Sequence, residues 1–213
     1  DELMPFVRKT KRLNAIQAVL THQVDILERS FRVLNIDLRG HGDSGPIRRR
    51  FSFDDMLDDV LAVLEHAAVR RAVWAGLSIG GMLTLRAALQ FPECVEGMIL
   101  LDTDGGKETR WRAMKYRVLD CLARLFGIRP LLREVCRAMF GASTRQSNRT
   151  LVSEWKERFS KFDVISAHYT IRCLINRKSL LTRLTEIRIP ALVIVGSEDT
   201  SLPPVRSHRL KEY

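Results

Sequence analysis

An α/β fold is predicted: a mostly parallel sheet flanked by helices, interrupted by an inserted helical segment. Three observations carry this. Runs that are apolar on both faces, Ala72–Leu77, Val95–Leu101 and residues 189–195, alternate with helical stretches, as strands of a doubly covered parallel sheet do. From residue 105 to 184 no strand pattern occurs, and apolar residues recur at helical spacing instead. The 213 residues are 46% hydrophobic, enough for a core and too much for a disordered chain.

Residues 31–37 (FRVLNID) alternate apolar and polar side chains and read as a strand. Residues 39–46 (RGHGDSGP) hold three glycines and a proline and read as a turn. A helix is predicted over 52–66. Ser52 is its N-cap, aspartates 54, 55, 58 and 59 crowd its start, and Met56, Leu57, Val60, Leu61 and Leu64 form its apolar face. The strand Ala72–Leu77 leads into a helix of small and apolar residues over 80–89, and Val95–Leu101 is the next strand. In the insertion, Leu119, Leu122, Leu125 and Phe126, then Trp155, Phe159 and Phe162, mark helices. Trp111, Trp155, Phe140 and Phe159 are expected in the core of that insertion. Residues 189–195 (IPALVIV) form the last strand, and 205–213 a helix.

Charge is unevenly placed. Residues 1–104 hold 13 basic and 15 acidic side chains, residues 105–187 hold 18 and 7, and residues 188–213 hold 4 and 3. The formal net charge of +10 therefore belongs to the insertion. Three readings of its basic residues (Arg110, Arg112, Lys115 and Arg117 early; Arg172, Arg177, Lys178 and Arg183 late) are open. They form solvated helix faces, or draw a carboxylate-bearing substrate, or meet a nucleic acid or membrane. No aromatic-interleaved or helix-turn-helix pattern supports a nucleic-acid partner. No apolar run approaches the roughly 18–20 residues of a membrane span, so no membrane partner is expected.

Cys94, Cys121, Cys136 and Cys173 form no CxxC pair and lie at no zinc-ligand spacing with histidine. Reduced thiols, a cytoplasmic location and no metal are expected. The first residues lack the apolar stretch of a signal peptide.

Gly76-Leu77-Ser78-Ile79-Gly80 fits G-x-S-x-G between an apolar strand and a small-residue helix. An ordinary glycine-rich strand-to-helix turn is the plain reading. The functional one is a nucleophile elbow. A serine hydroxyl attacks only when a base takes its proton and the site holds the developing oxyanion. A tight turn exposes Ser78 to both, and the Ile79 N–H lies at a helix N-terminus, facing developing negative charge. Gly76 and Gly80 are expected to let backbones approach closely.

These residues resemble the α/β-hydrolase superfamily. Three blocks in the family's order carry the likeness: 31–45 (FRVLNIDLRGHGDSG), 75–88 (AGLSIGGMLTLRAA) and 189–204 (IPALVIVGSEDTSLPP). Within the superfamily the chain looks most like small-molecule esterases and 3-oxoadipate enol-lactonase-like hydrolases. The resemblance implies a core in two parts, residues 1–104 and 188–213, with a helical cap over 105–187. It makes Ser78 the nucleophile, Ile79 an oxyanion donor and Asp199 the acid that orients a histidine. Asp102 or Asp104 is the alternative acid. Asp37, Arg39, Gly40, His41 and Gly42 match a turn that is largely structural. Serine at the elbow speaks against dehalogenase and epoxide hydrolase chemistry, which use aspartate there, and for small carboxylic esters or lactones, an acidic lactone among them. Carbon–carbon hydrolases also use serine. No cofactor is implied.

The family takes its base from a histidine well beyond the acid. Only His208 follows Asp199 here, on a helix, while His22, His66 and His168 lie on helices elsewhere. The family's His-Gly oxyanion turn has no counterpart in residues 1–15, and residues 8–12 (RKTKR) do not resemble a buried strand. The chain also starts at Asp1. A core trimmed at both ends, inactive as it stands, is the expectation; a non-catalytic binding protein that lost its triad histidine is the alternative.

Overall fold

The computed structural model describes residues 20–212. The readings made on residues 1–15, and on Tyr213, lie outside them. A short helix α1 (Thr21–Leu27) precedes an irregular stretch and the turn. Then come α2 (Phe53–His66), β1 (Ala72–Leu77), α3 (Ile79–Gln90) and β2 (Val95–Leu101). Five helices follow: α4 (Arg110–Phe126), α5 (Leu132–Met139), α6 (Ala142–Ser147), α7 (Arg149–Ser160) and α8 (Val164–Ile175). The chain returns through β3 (Ala191–Ile194) and α9 (Pro204–His208).

The described sheet is parallel, ordered β1-β2-β3. Its register aligns Leu77 with Leu101 and Leu101 with Ile194, so all three strands end on one row. Helices α2 and α3 supply the cover. Met56, Leu57, Val60, Met82, Leu83 and Leu85 bury against Val95, Met98 and Leu100 in one core. Helix α2 begins where its sequence predicts. The Asp55 N–H donates to Ser52 Oγ (3.1 Å) and Asp55 Oδ2 accepts from the Ser52 N–H (2.7 Å), a reciprocal cap.

Residues 31–37 differ from expectation. They carry no ladder hydrogen bonds among the described residues, and Phe31 is 66% exposed. Alternation selects an extended chain, but a strand needs a neighbour. The last strand is also shorter than predicted. It starts after Pro190, and Leu192 and Ile194 stay about half exposed. Within the described sheet β1 and β3 each pair on one side only, and Val73 on β1 stays about half exposed as Leu192 and Ile194 do on β3.

Residues 105–187 hold no strand, as predicted. Part of this region packs around its own small core. Leu132, Cys136, Trp155 and Phe159 are buried together, and the Trp155 and Phe159 rings lie 5.5 Å apart. Trp111 departs from its predicted place: it is 80% exposed.

Candidate active site

Ser78 follows β1 directly and caps α3, with φ 51° and ψ −110°. That left-handed backbone is costly for a residue with a Cβ. Its surroundings hold it there. The Ser78 N–H donates to Leu101 O (2.9 Å), and Ser78 O accepts from the Met82 N–H (3.1 Å) and from Thr103 Oγ1 (2.7 Å). The hydroxyl itself makes no cap bond. A serine at a helix N-cap ordinarily spends its oxygen on the N2 or N3 amide. Here the oxygen stays available. Ile79 is the first residue of α3, so its N–H is one of the helix's unpaired amides, at the positive end of the dipole.

The glycines divide differently from expectation. A Cβ on Gly76 would sit 2.3 Å from the Gly80 carbonyl carbon, whereas one on Gly80 would meet nothing. Gly80 therefore matters as the backbone that crowds Gly76. The second close approach is at Gly81, where a Cβ would fall 2.7 Å from Thr103. Because backbone cannot yield as a side chain can, Gly76→Ala is expected to lower stability by about 3 kcal/mol, the upper part of the overpacking range, read as a fall in urea midpoint. Gly80→Ala should cost far less.

Asp102 follows β2 in the same row, also with positive φ, 40°. Its N–H donates to Ile194 O (2.9 Å), and its Oδ1 accepts from the Gly196 N–H (2.7 Å). It thus ties the end of β2 to the loop after β3. That loop carries Asp199, whose Oδ1 accepts from the Ser201 and Leu202 amides (2.7 and 2.8 Å). Burial pushes the Asp199 carboxyl above the usual range. The neighbouring Asp102 adds to the rise, while the two amides and Arg112 oppose it. Strand order and register therefore put Ser78, Asp102 and the Asp199 loop on one sheet edge. Ser78 and the β3 loop stand two strand spacings apart, roughly 10 Å, room enough for an imidazole.

No histidine bonds Ser78 Oγ among the described residues. His41 Nδ1 pairs with Arg39 O (3.0 Å), and burial pushes its imidazole below the usual value. Its turn is braced by side-chain bonds. Asp37 Oδ2 accepts from the Asp43 N–H (3.0 Å), and Arg39 grips Asp59 with two bonds of 2.6 and 2.8 Å. His168 Nδ1 pairs with Asp120 Oδ2 (2.7 Å) between α8 and α4. His22, His66 and His208 are exposed.

Asp104 belongs to a different construction. Its Oδ2 meets Arg206 (2.8 Å) and Arg177 (3.5 Å), and its Oδ1 accepts from the Gly106 N–H (2.8 Å). Glu108 joins the same arginines at 3.0 and 3.2 Å, and Arg112 at 3.1 Å. Arg177 also donates to Gly106 O (2.8 Å). Arg112 donates onward to Ser201 O, beside Asp199. Other residues of the insertion hold the same loop: Ser201 Oγ donates to Ala138 O (2.7 Å), and Glu198 Oε2 accepts from the Ser143 N–H and hydroxyl (2.9 and 3.0 Å). Two arginines of the basic insertion, Arg112 and Arg177, are thus committed to internal carboxylates. Only the Glu108–Arg112 spacing of four hinted at this network from sequence.

Burial disfavours the Glu108 carboxylate. Arg177, the Thr109 amide, Arg206 and Arg112 outweigh it and hold Glu108 below its ordinary 4.5. A depressed folded value means that this stabilisation is complete above about pH 4.5 and is lost as pH falls through the lowered value. Thermal midpoints measured downward from pH 5 should therefore fall more steeply for the native chain than for Glu108→Gln.

Comparison with known proteins agrees with this architecture. The family model described as alpha/beta hydrolase fold matches residues 20–212. The chain is 25% identical over 180 residues to 3-oxoadipate enol-lactonase 2 of Acinetobacter baylyi, covering 83% of this chain and 65% of that protein. It is 35% identical over 96 residues to the pimeloyl-[acyl-carrier protein] methyl ester esterase of Aliivibrio fischeri, over 44% of this chain and 35% of that one. Among solved structures, the enol-lactonase of Burkholderia xenovorans superposes with TM-score 0.85 at 24% identity, covering 94% of this chain and 76% of that one. A thermophilic esterase from Thermogutta terrifontis superposes with TM-score 0.85 at 22% identity, covering 95% and 74%. The chain thus spans about two thirds of its enol-lactonase relative, and from fold and match together it belongs to the alpha/beta hydrolase family.

Proposed function

We propose that this chain carries the catalytic serine and acid of a hydrolase acting on a small carboxylic ester or lactone, with residues 105–187 as its cap. The observation that carries the reading is Ser78: a strained helix-capping serine whose hydroxyl caps nothing. In this reading Ser78 Oγ attacks the acyl carbon, and the Ile79 N–H receives the developing oxyanion. Asp199 orients the histidine that takes the Ser78 proton and returns it to the leaving alcohol. Water then releases the acyl group by the reverse sequence. Asp199 takes the acid role by its match to the family's acid in the loop after the last strand; its Oδ1 is held by the Ser201 and Leu202 amides, as Asp102 Oδ1 is by the Gly196 amide, which leaves Asp199 Oδ2 for the histidine. The enol-lactonase and esterase names among the relatives support the substrate class.

The histidine is assigned to a segment outside the 213 residues, since each histidine among residues 20–212 is exposed or bonded elsewhere. The chain alone should hydrolyse esters barely above background. The same chain joined to a histidine-bearing continuation should hydrolyse 4-nitrophenyl acetate or a γ-lactone. There, Ser78→Ala and Asp199→Asn are each expected to lower kcat by about 10³-fold or more. Asp199→Asn should leave thermal stability equal or raised, because it removes a carboxylate that burial disfavours. Hydrolysis indifferent to both substitutions would refute Ser78 and Asp199 as the catalytic pair, and no hydrolysis above background by the extended protein would favour the non-catalytic reading of this fold.

A further inference from the structure

We infer that the outer face of α4 is a membrane-surface contact for anionic lipid, independent of the Ser78 reading. Trp111, Met114, Val118 and Leu125 recur at offsets 0, 3, 7 and 14, and are 80%, 53%, 51% and 69% exposed. Phe126 adds a further 68% exposed ring at the helix end. At the rise of an α-helix this stripe is about 20 Å long. One edge of it is a row of exposed arginines, Arg110, Arg117 and Arg124, spaced by seven residues, and Lys115 lies on the other side.

The opposite face of α4 explains why the outer one is free. Ala113, Asp120 and Ala123 are buried there, with Asp120 bonded to His168 of α8. Arg112 is committed to Glu108. The only acid of α4 is therefore turned inward, and every exposed charge on the helix is positive. A helix with an exposed aromatic and aliphatic stripe and a purely cationic border fits the boundary between lipid headgroups and acyl chains. No helix among the described residues is long and apolar enough to cross a membrane, so α4 lies on the surface and does not span it.

Other occupants fit less well. A second copy would bring like-charged arginine rows together across the stripe. A nucleic acid would engage the arginines and leave the Trp111–Leu125 stripe in water. An acidic amphipathic helix matches both features but must supply a groove or face of its own, whereas lipid adapts to a single exposed helix. The expectation of no membrane partner rested on the lack of a spanning run, a test to which a surface-lying helix is invisible.

The test is co-sedimentation of the 213-residue chain with vesicles of phosphatidylglycerol and phosphatidylcholine, and of phosphatidylcholine alone, at low salt. Binding is expected to the anionic vesicles, weakened by added salt. The triple variant Arg110→Gln/Arg117→Gln/Arg124→Gln should lose about 100-fold in partitioning. The triple variant Trp111→Ser/Leu125→Ser/Phe126→Ser should lose at least 10-fold, and circular dichroism should show both folded, since all six side chains are exposed. No binding to anionic vesicles overturns the proposal, as does binding that survives removal of the apolar stripe. A chain that ignores both vesicles yet binds an acidic amphipathic peptide moves the surface to a protein partner.

Discussion

Ser78→Gly is expected to stabilise the fold while removing any acyl-enzyme. The backbone at this position sits at φ 51° and ψ −110°, which costs a residue with a Cβ about 1–3 kcal/mol and costs glycine almost nothing. The hydroxyl contributes no hydrogen bond to the turn, so its loss leaves nothing unpaired. Glycine adds freedom to the unfolded chain, an opposing effect of about 0.5–1 kcal/mol. The net gain is about 0–2.5 kcal/mol, with its middle a rise of a few degrees in Tm. Ser78→Ala keeps the strain and should leave Tm nearly unchanged. Bonds to Leu101, Met82 and Thr103 hold that strain at one residue.

Arg177→Met is expected to be the most destabilising single change on the surface of contact between residues 105–187 and the rest. The Arg177 side chain is 2% exposed and joins Asp104, Glu108 and the Gly106 carbonyl. Removing it leaves two carboxylates, each 4% exposed, to share Arg206 and Arg112. Breaking such a buried set from one side costs about 3–5 kcal/mol, because the charge left behind is poorly solvated. The urea midpoint should fall accordingly. Restoring balance with Arg177→Met/Glu108→Gln should recover part of the loss, a coupling that a plain packing defect would lack. Since Arg112 links the same network to Ser201 beside Asp199, the damage should also reach the loop after β3.

Much of the core was legible because its signals are local. The Ser52 cap, the apolar face of α2 and the strand–elbow–helix around Ser78 depend on residues a few positions apart, and all three stand where they read. Residues 31–37 show the limit. Their alternation specifies an extended chain, and pairing depends on a neighbour that the pattern cannot name. The elbow glycines show another. Spacing marked Gly76 and Gly80, but which Cα faces backbone is a matter of three-dimensional approach, and Gly81 against Thr103 was the one overlooked. The Asp104–Glu108–Arg177–Arg206 set joins residues up to 102 positions apart, and nothing in a single sequence pairs them. The +10 charge changes meaning with it, because two of the insertion's arginines serve inside the protein.

Where a fluorophosphonate probe reacts decides whether Ser78 is the nucleophile. The chain extended by a histidine-bearing segment is treated with the probe, digested, and the adduct located by mass spectrometry. A single adduct is expected on Ser78, lost in Ser78→Ala, strongly reduced in Asp199→Asn, and weak in the 213 residues alone. An adduct on another serine, or strong labelling of Ser78 by the 213 residues without the added histidine, would contradict that expectation.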